Sequence, residues 1–203
     1  MPNLFTAIQT LQKRLSEADI PSVVIGGVAA AVWGDPRVTR DADLKTLLER
    51  KDADRLLAVL APHYVSLLPD PREALRCQAM VFVQDADGIR LDLLLADTPY
   101  DVIAIRRGRD VEVQPSLTLK VCSPEDLVIY KLLSPRPRDY EDVRGVVRRQ
   151  GQALDDAYVL YWLRQFELAL NDSTLVSTYK RVRREFDRQP SLTTPPVLKI
   201  ARG

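Results

Sequence analysis

The hydrophobic pattern of the chain changes near residue 121, and this change strongly constrains the fold. Before it, short apolar runs typical of strands, such as 22–25, alternate with amphipathic helical segments such as 4–15. After it, from the helix start at Ser123 onward, helical segments follow one another without an intervening strand pattern. We therefore expect an α/β core over 1–121, a helical region packed on that core over 122–189, and an extended tail over 190–203.

Composition narrows the chemistry open to such a fold. The 203 residues include 29 Lys and Arg against 28 Asp and Glu, one histidine and two cysteines. A site built on several histidines is excluded, since His63 is alone, and a zinc ribbon is excluded, since Cys77 and Cys122 lack CxxC partners. If the protein is an enzyme, its chemistry must therefore come from carboxylates, basic side chains and the backbone.

Membrane insertion is not expected from the sequence. No apolar run approaches the roughly 18 residues that a transmembrane helix needs. The first residues show no basic segment followed by an apolar core, so they do not resemble a signal peptide. We expect a cytoplasmic protein with no membrane partner.

A two-glycine turn followed by two closely spaced aspartates is the strongest chemical signal. Gly26 and Gly27 lead from a buried strand straight into an Ala-rich helix, an arrangement that presents backbone N–H groups to phosphate. Asp41 and Asp43 point to the same side of a predicted strand, with Cα atoms about 6.5–7 Å apart. Such converging carboxylates suit paired Mg²⁺ ions in phosphoryl transfer, although a solvated strand edge would show the same spacing.

A third carboxylate, Asp92, lies within an apolar strand. A buried charge without a partner costs several kcal/mol, so this aspartate needs a cation. Two interpretations are open: a metal ion shared with Asp41 and Asp43, or an ion pair with Arg90 on the same strand face. The three acidic positions together with the glycine turn favour the metal ion.

These motifs together resemble the DNA polymerase β-like nucleotidyltransferase superfamily. Its signature is a Gly-Gly or Gly-Ser turn, a spacer of about ten residues, Asp-x-Asp or Asp-x-Glu, and a third Asp on a neighbouring strand. The spacer here, 28–40, has thirteen residues. The resemblance implies an α/β (α+β) fold, with a polymerase β-like nucleotidyltransferase core on a small mixed sheet. It also implies transfer of a nucleoside monophosphate from an NTP to an acceptor hydroxyl.

The same resemblance assigns roles to the glycines and the aspartates. It implies that Gly26 and Gly27 cradle the triphosphate, and that Asp41 and Asp43 bridge two Mg²⁺ ions, for which Mn²⁺ can substitute. It further implies that Asp92 binds the catalytic ion and lies near the attacking hydroxyl as its base.

A second cluster narrows the resemblance to one branch. Residues 123–131 and 136–142 resemble the AbiEii-type branch, which contains bacterial nucleotidyltransferase toxins, in having a helix that ends in Lys before a motif of Arg and Asp. This implies that Lys131 contacts nucleotide phosphates and that Asp139 orients it or an arginine. The alternatives are a solvent-side lysine and an aspartate that favours the start of a helix.

Four further positions bear on the nucleotide. Arg37 and Arg40 lie four positions and one position before Asp41 and are within reach of phosphate. Gly27 stands where serine is common in the family, so a hydroxyl contact to phosphate is absent. Lys45 is the next residue on the face of the two aspartates, and it either binds phosphate or neutralises an aspartate and weakens metal binding.

The acceptor and the partners follow only from the resemblance and from local charge. Residues 178–188 hold five basic side chains against two acidic ones, a pattern typical of a solvated helix face or of a surface that binds an RNA backbone. The toxin branch implies an RNA 3′ end such as that of tRNA, or a protein, as acceptor, and a cognate antitoxin as partner. The alternatives are a small-molecule (aminoglycoside-type) nucleotidyltransferase and a catalytically quiet relative that binds nucleotide, RNA or a partner protein.

Overall fold

The computed structural model describes residues 3–36, 38–134 and 136–188. Arg37 and the predicted tail over 190–203 lie outside the described residues. The chain divides into two compact units. Of the described residues, 3–28 and 38–122 belong to the first unit, and 29–36 with those from 123 onward belong to the second.

The first unit is built on a seven-stranded mixed sheet. Its strands are β1 (Ser22–Ile25), β2 (Asp41–Thr46), β3 (Val65–Ser66), β4 (Met80–Gln84), β5 (Arg90–Leu95), β6 (Arg109–Gln114) and β7 (Leu117–Val121). They lie in the order β3-β4-β5-β2-β1-β7-β6, with the β5–β2 and β1–β7 pairs parallel and the other pairs antiparallel. The mixed α/β architecture expected from the sequence is confirmed.

Helices of both units follow the chain order. They are α1 (Leu4–Glu17), α2 (Gly26–Trp33), α3 (Ala53–Leu60), α4 (Pro71–Gln78), α5 (Pro99–Arg106), α6 (Pro124–Leu132), α7 (Pro137–Gln150), α8 (Asp156–Leu170) and α9 (Leu175–Arg188). Short 3₁₀ turns occupy Arg50–Asp52 and Gly151–Ala153. No helix in the described part of the chain is long and apolar enough to cross a membrane.

Buried and accessible side chains alternate along β2. Ala42 and Leu44 are fully buried, whereas Asp41 is exposed and Asp43 is half-buried. Because successive strand residues point to opposite faces, the two aspartates share the face that the core does not use. The period of two in the sequence is therefore enough to place both carboxylates on one side.

Two helices of the first unit, α4 and α5, are not predicted from the sequence. Each begins with a capped proline turn: Asp70 accepts a hydrogen bond from the Glu73 N–H at 2.9 Å, and Thr98 forms a capping box with Asp101. Proline at the first helical position loses no intrahelical hydrogen bond, so a Pro after Asp or Thr starts a helix rather than ending an element.

The second unit is helical, as the pattern after residue 121 predicts. Asp156 of α8 contacts α9: its carboxylate accepts a hydrogen bond from the Tyr179 hydroxyl and pairs with Arg183 at 2.9 Å. Tyr179 is 1% exposed. Burial and the hydrogen bond to Asp156 raise the pKa of Tyr179 far above the ordinary value of tyrosine.

Candidate active site

Three segments of the first unit meet at one end of the central strands β5, β2 and β1, which we call the sheet edge. The end of β1 and the start of β2 are adjacent because the two strands are antiparallel, and Ile25 lies opposite Asp43. The parallel strand β5 lies on the other side of β2, with Asp92 opposite Asp43. Neighbouring strands are about 4.8 Å apart, so the glycine turn, Asp43 and Asp92 follow one another across the edge.

Gly26 brings the chain into direct contact with Asp43. It has a φ of +64°, and a Cβ atom at this position would lie 1.9 Å from Asp43 Oδ2. The carboxylate therefore rests against the bare Cα of the turn residue, at the point where α2 begins. Gly27 is buried in the first turn of α2, whose leading N–H groups have no partner within the helix.

Asp41 and Arg40 are the solvent-facing members of the group. Both are exposed, and Thr39 Oγ1 donates a hydrogen bond to Asp41 Oδ1 at 3.3 Å. The predicted contact of Arg37 with phosphate concerns a residue outside the described part. Asp41 and Asp43 thus offer oxygens on one strand face, one fully open to solvent and one half-buried.

Asp92 is held by Arg90, as one of the two sequence interpretations proposes. Arg90 Nε donates to Asp92 Oδ1 at 2.7 Å and Nη2 donates to Oδ2 at 2.9 Å, so both carboxylate oxygens are engaged. Asp92 is 7% exposed, and the guanidinium carbon lies 4.7 Å from the centre of the Phe82 ring. The hydrogen bonds to Asp92 raise the pKa of Arg90, and the charges of Asp92, Asp41 and Asp43 add to the rise.

The donor set suits a divalent cation, but the three carboxylates do not form a ready-made metal site. Among the described residues, no three His, Cys, Asp or Glu side chains are grouped closely enough to hold a metal ion. Carboxylate oxygens are nevertheless the ligands that Mg²⁺ and Mn²⁺ prefer. Asp41 and Asp43 are the residues that would hold the ion, while the oxygens of Asp92 already bind Arg90.

Lys45 points to a different acid from those considered in the sequence. Its ammonium pairs with Asp101 Oδ1 at 2.8 Å and donates to the Leu95 carbonyl at 3.3 Å. The side chains of Lys45 and Asp101 are 13% and 4% exposed. Sequence reasoning missed Asp101, although the Thr98-x-x-Asp spacing of a capping box marks it as a structured carboxylate.

In the second unit, Lys131 and Asp139 are direct partners. Lys131 Nζ lies 2.6 Å from Asp139 Oδ1 and 2.7 Å from Asp142 Oδ2, and the three side chains are 8–11% exposed. Lys131 is therefore not a solvent-side residue, and Asp142 is a member of the cluster that the site prediction lacked. Asp139 Oδ2 is buried with no hydrogen-bond partner in the described residues.

Solved structures show which known fold this arrangement belongs to. An antigenic nucleotidyltransferase-like protein from Paracoccidioides brasiliensis aligns with a TM-score of 0.50 and 19% identity, over 87% of this chain and 92% of that chain. The chain has a nucleotidyltransferase fold. The antibiotic-resistance factor ANT(2″)-Ia also aligns with a TM-score of 0.50, at 13% identity over 91% of each chain. No protein-family model and no curated protein sequence matches this chain.

The resemblance read from the motifs is confirmed at the level of this nucleotidyltransferase fold. The glycine turn, Asp43 and Asp92 lie side by side in it, as the register shows. Assignment to the AbiEii-type branch stays a prediction, and so do the individual roles of the site residues.

Proposed function

We propose that the protein is a nucleotidyltransferase that depends on divalent cations and moves a nucleoside monophosphate from an NTP to an acceptor hydroxyl. The observation that carries this proposal is the register at the sheet edge, where Asp43 lies between the glycine turn and Asp92. That edge combines backbone N–H groups for phosphate with carboxylates for a cation. A phosphoryl transfer site needs both, because its catalysis is largely positioning and charge stabilisation.

In this proposal the first unit binds the reacting groups. The N–H groups at Gly26 and Gly27 bind the triphosphate. Asp41 and Asp43 hold Mg²⁺ or Mn²⁺, with Asp92 as the third ligand, and the ion when bound neutralises phosphate charge. A bond forms between the acceptor oxygen and the α-phosphorus while the bond to pyrophosphate breaks. The proton of the acceptor hydroxyl passes to Asp92, the carboxylate next to Asp43.

Basic residues complete the proposed nucleotide site. From the family resemblance we assign Lys131 a contact to nucleotide phosphate, and Asp139 and Asp142 fix its ammonium at 2.6 and 2.7 Å. Arg40, exposed just before β2, is within reach of the same phosphates, and Arg37 is assigned the same role from the sequence alone. A lysine held by two buried carboxylates acts as a point charge that moves little on binding.

For the acceptor, we propose an RNA 3′ end such as that of tRNA. The exposed side chains of Lys180, Arg181 and Arg184 on α9 support this choice, because RNA affinity rests on phosphate neutralisation. A protein acceptor and a toxin paired with an antitoxin follow from the AbiEii-type resemblance. A small-molecule acceptor of the aminoglycoside type is the second candidate, favoured by the fold shared with an antibiotic-resistance factor.

The remaining alternative is a quiet relative that only binds nucleotide, RNA or a protein. Neutralisation of the aspartates by Lys45 would favour this alternative, and the Lys45 ammonium also pairs with Asp101 at 2.8 Å. Arg90 neutralises Asp92 and so bears on the same alternative.

The deciding experiment measures transfer of label from NTPs labelled at the α-phosphorus. Purified protein is incubated with each NTP, Mg²⁺ or Mn²⁺, and total tRNA or an aminoglycoside panel, with self-labelling scored in parallel. We expect the Asp41→Ala, Asp43→Ala double variant to lose about 100-fold or more of the transfer, since it removes the groups that hold the ion.

A matched control removes two carboxylates with the same spacing elsewhere in the sheet. Asp110→Ala with Glu112→Ala on β6 should keep transfer at the level of the unmodified protein. Transfer that survives in the Asp41, Asp43 double variant would show that the metal assignment is wrong. An unmodified protein that labels none of these acceptors and binds no NTP in calorimetry would contradict the enzyme proposal.

A further inference from the structure

We propose that Arg90 is the cation that neutralises Asp92 when no metal ion is bound. It occupies both carboxylate oxygens until a divalent ion displaces it, and it then binds the NTP phosphates. This inference rests on the proposed function and adds a positioning residue that couples metal binding to nucleotide binding. It also explains why a carboxylate assigned to a metal ion is paired with an arginine.

The geometry of the Arg90–Asp92 pair blocks access of a metal ion to Asp92. Two hydrogen bonds of 2.7 and 2.9 Å engage both oxygens of Asp92, so no oxygen of this carboxylate is left without a strong donor. The Asp92 side chain is 10% exposed, whereas the Arg90 side chain is 44% exposed. A cation that takes Asp92 as a ligand must therefore replace Arg90 at one or both oxygens.

The charge balance explains why Arg90 is needed when no ion is bound. Asp41, Asp43 and Asp92 bring three negative charges to one sheet edge, and all three attract the Arg90 guanidinium. One positive charge offsets part of this repulsion, and a divalent ion offsets more. The ion and the guanidinium repel each other, so binding of one favours release of the other.

The released side chain has an anchor and a new ligand to bind. Phe82, directly opposite Asp92 on β4, offers its ring face to the guanidinium at 4.7 Å, and this contact does not require Asp92. The planar guanidinium matches phosphate oxygens as well as it matches a carboxylate. Nucleotide and metal should therefore strengthen each other's binding, and by linkage the coupling is the same in both directions.

The test measures Mn²⁺ binding by electron paramagnetic resonance, with and without α,β-methylene ATP, in Arg90→Ala and Arg90→Lys variants. Lysine keeps the charge but cannot engage both oxygens in the same way. We expect both variants to bind Mn²⁺ about tenfold more tightly than the unmodified protein without nucleotide, because the competing hydrogen bonds are lost. The increase in Mn²⁺ affinity caused by the analogue should fall in Arg90→Ala.

The control variant is Arg50→Ala, which removes a similar two-point pair with Asp97 in the same unit, with hydrogen bonds of 2.7 and 2.5 Å. It should leave Mn²⁺ affinity unchanged. Circular dichroism checks that each variant is folded, and Arg90→Lys preserves the test if Arg90→Ala is not. If Mn²⁺ affinity is unchanged in Arg90→Lys, Arg90 does not compete with the metal ion for Asp92. If the analogue raises Mn²⁺ affinity in Arg90→Ala as much as in the unmodified protein, Arg90 does not bind the phosphates.

Failure of this inference and failure of the proposed function give different results. If the unmodified protein binds Mn²⁺ through Asp41 and Asp43 and the Arg90 variants do not differ, the inference is wrong and the proposed function stands. If neither the unmodified protein nor any Arg90 variant binds Mn²⁺, both are wrong. Binding that appears only after Arg90 is replaced would support the inference most strongly.

Discussion

Gly26 combines two constraints that usually fall on different residues. Its φ of +64° lies in the left-handed region, and the position of its missing Cβ is taken up by the Asp43 carboxylate. Any other L-residue would be strained at this positive φ, and its Cβ would also displace Asp43, a proposed metal ligand. The two effects can be separated by comparing two glycines of the first unit.

Gly26→Ala should therefore lower both stability and label transfer. We expect the positive φ to cost about 1–2 kcal/mol in the free energy of unfolding, measured by urea denaturation. We also expect transfer to fall by at least about tenfold, since catalytic groups tolerate little misplacement. Gly88→Ala is the control: Gly88 has a φ of +80°, but its nearest neighbour, Gln84 Nε2, is 3.7 Å from the added carbon. Equal transfer by both variants would contradict the role of the Gly26–Asp43 contact.

At the scale of elements, one acid joins α8 to two side chains of α9. Asp156 at the start of α8 binds both Tyr179 and Arg183 of α9. The hydrogen bond from Tyr179 is partly buried and goes to a charged acceptor, which makes it stronger than an average one.

Tyr179→Phe should therefore destabilise the protein by about 2 kcal/mol, the cost of losing a hydrogen bond to a charged group. Urea denaturation at pH 7 measures the effect. Tyr161→Phe is the matched control, because Tyr161 lies on α8 with 54% of its surface exposed. A loss of the same size in both variants would show that the Asp156 contact does not stabilise the joint.

The same tyrosine gives a pH dependence with a defined sign. Burial, followed by the hydrogen bond to Asp156, raises the pKa of folded Tyr179 above the value of about 10 found in unfolded chains. The folded state thus keeps its proton more firmly, so this contribution is complete below about pH 10 and is lost as the pH rises further. The stability difference between the unmodified protein and Tyr179→Phe should shrink above pH 10 in denaturation curves. A difference that is constant up to pH 11 would contradict this.

Element by element, the sequence predicts most of the first unit and misses features that depend on tertiary contacts. The hairpin around Gly88 and the strand carrying Asp41 and Asp43 follow from local turn chemistry and a period of two. Pairing of Lys45 with Asp101 did not follow, because residues 56 positions apart meet only through the packing of α5 on the sheet. The choice between a metal ion and Arg90 for Asp92 also needed geometry, since the spacing fits both.

At the scale of the whole molecule, the near-neutral sum of charges hides an uneven distribution. The net charge is +1, yet the first unit carries three acids at one sheet edge, and α9 in the second unit exposes Lys180, Arg181 and Arg184. Only local charge acts on a nucleic acid at close range, because screening limits exposed charges to about 8–10 Å at physiological salt.

Reversing two of these charges should weaken RNA binding. We expect Lys180→Glu with Arg184→Glu to lower tRNA affinity about tenfold or more and to reduce the slope of log affinity against log salt, because fewer counterions are released. Filter binding over a range of KCl concentrations measures both. Lys13→Glu with Lys51→Glu makes the same charge change on exposed residues of the first unit and should have a smaller effect. Equal effects of the two double variants would show that α9 does not bind the RNA.

The parallel register of β2 and β5 also protects the chain from a wrong fold. If β5 slipped by one residue, Asp92 would turn to the side where Leu91 and Leu93 are fully buried, and Arg90 would follow it. Such a chain would place charged side chains among buried leucines, which costs several kcal/mol for a charge without a partner. The residues proposed for chemistry therefore also favour the observed strand register over one shifted by a single residue.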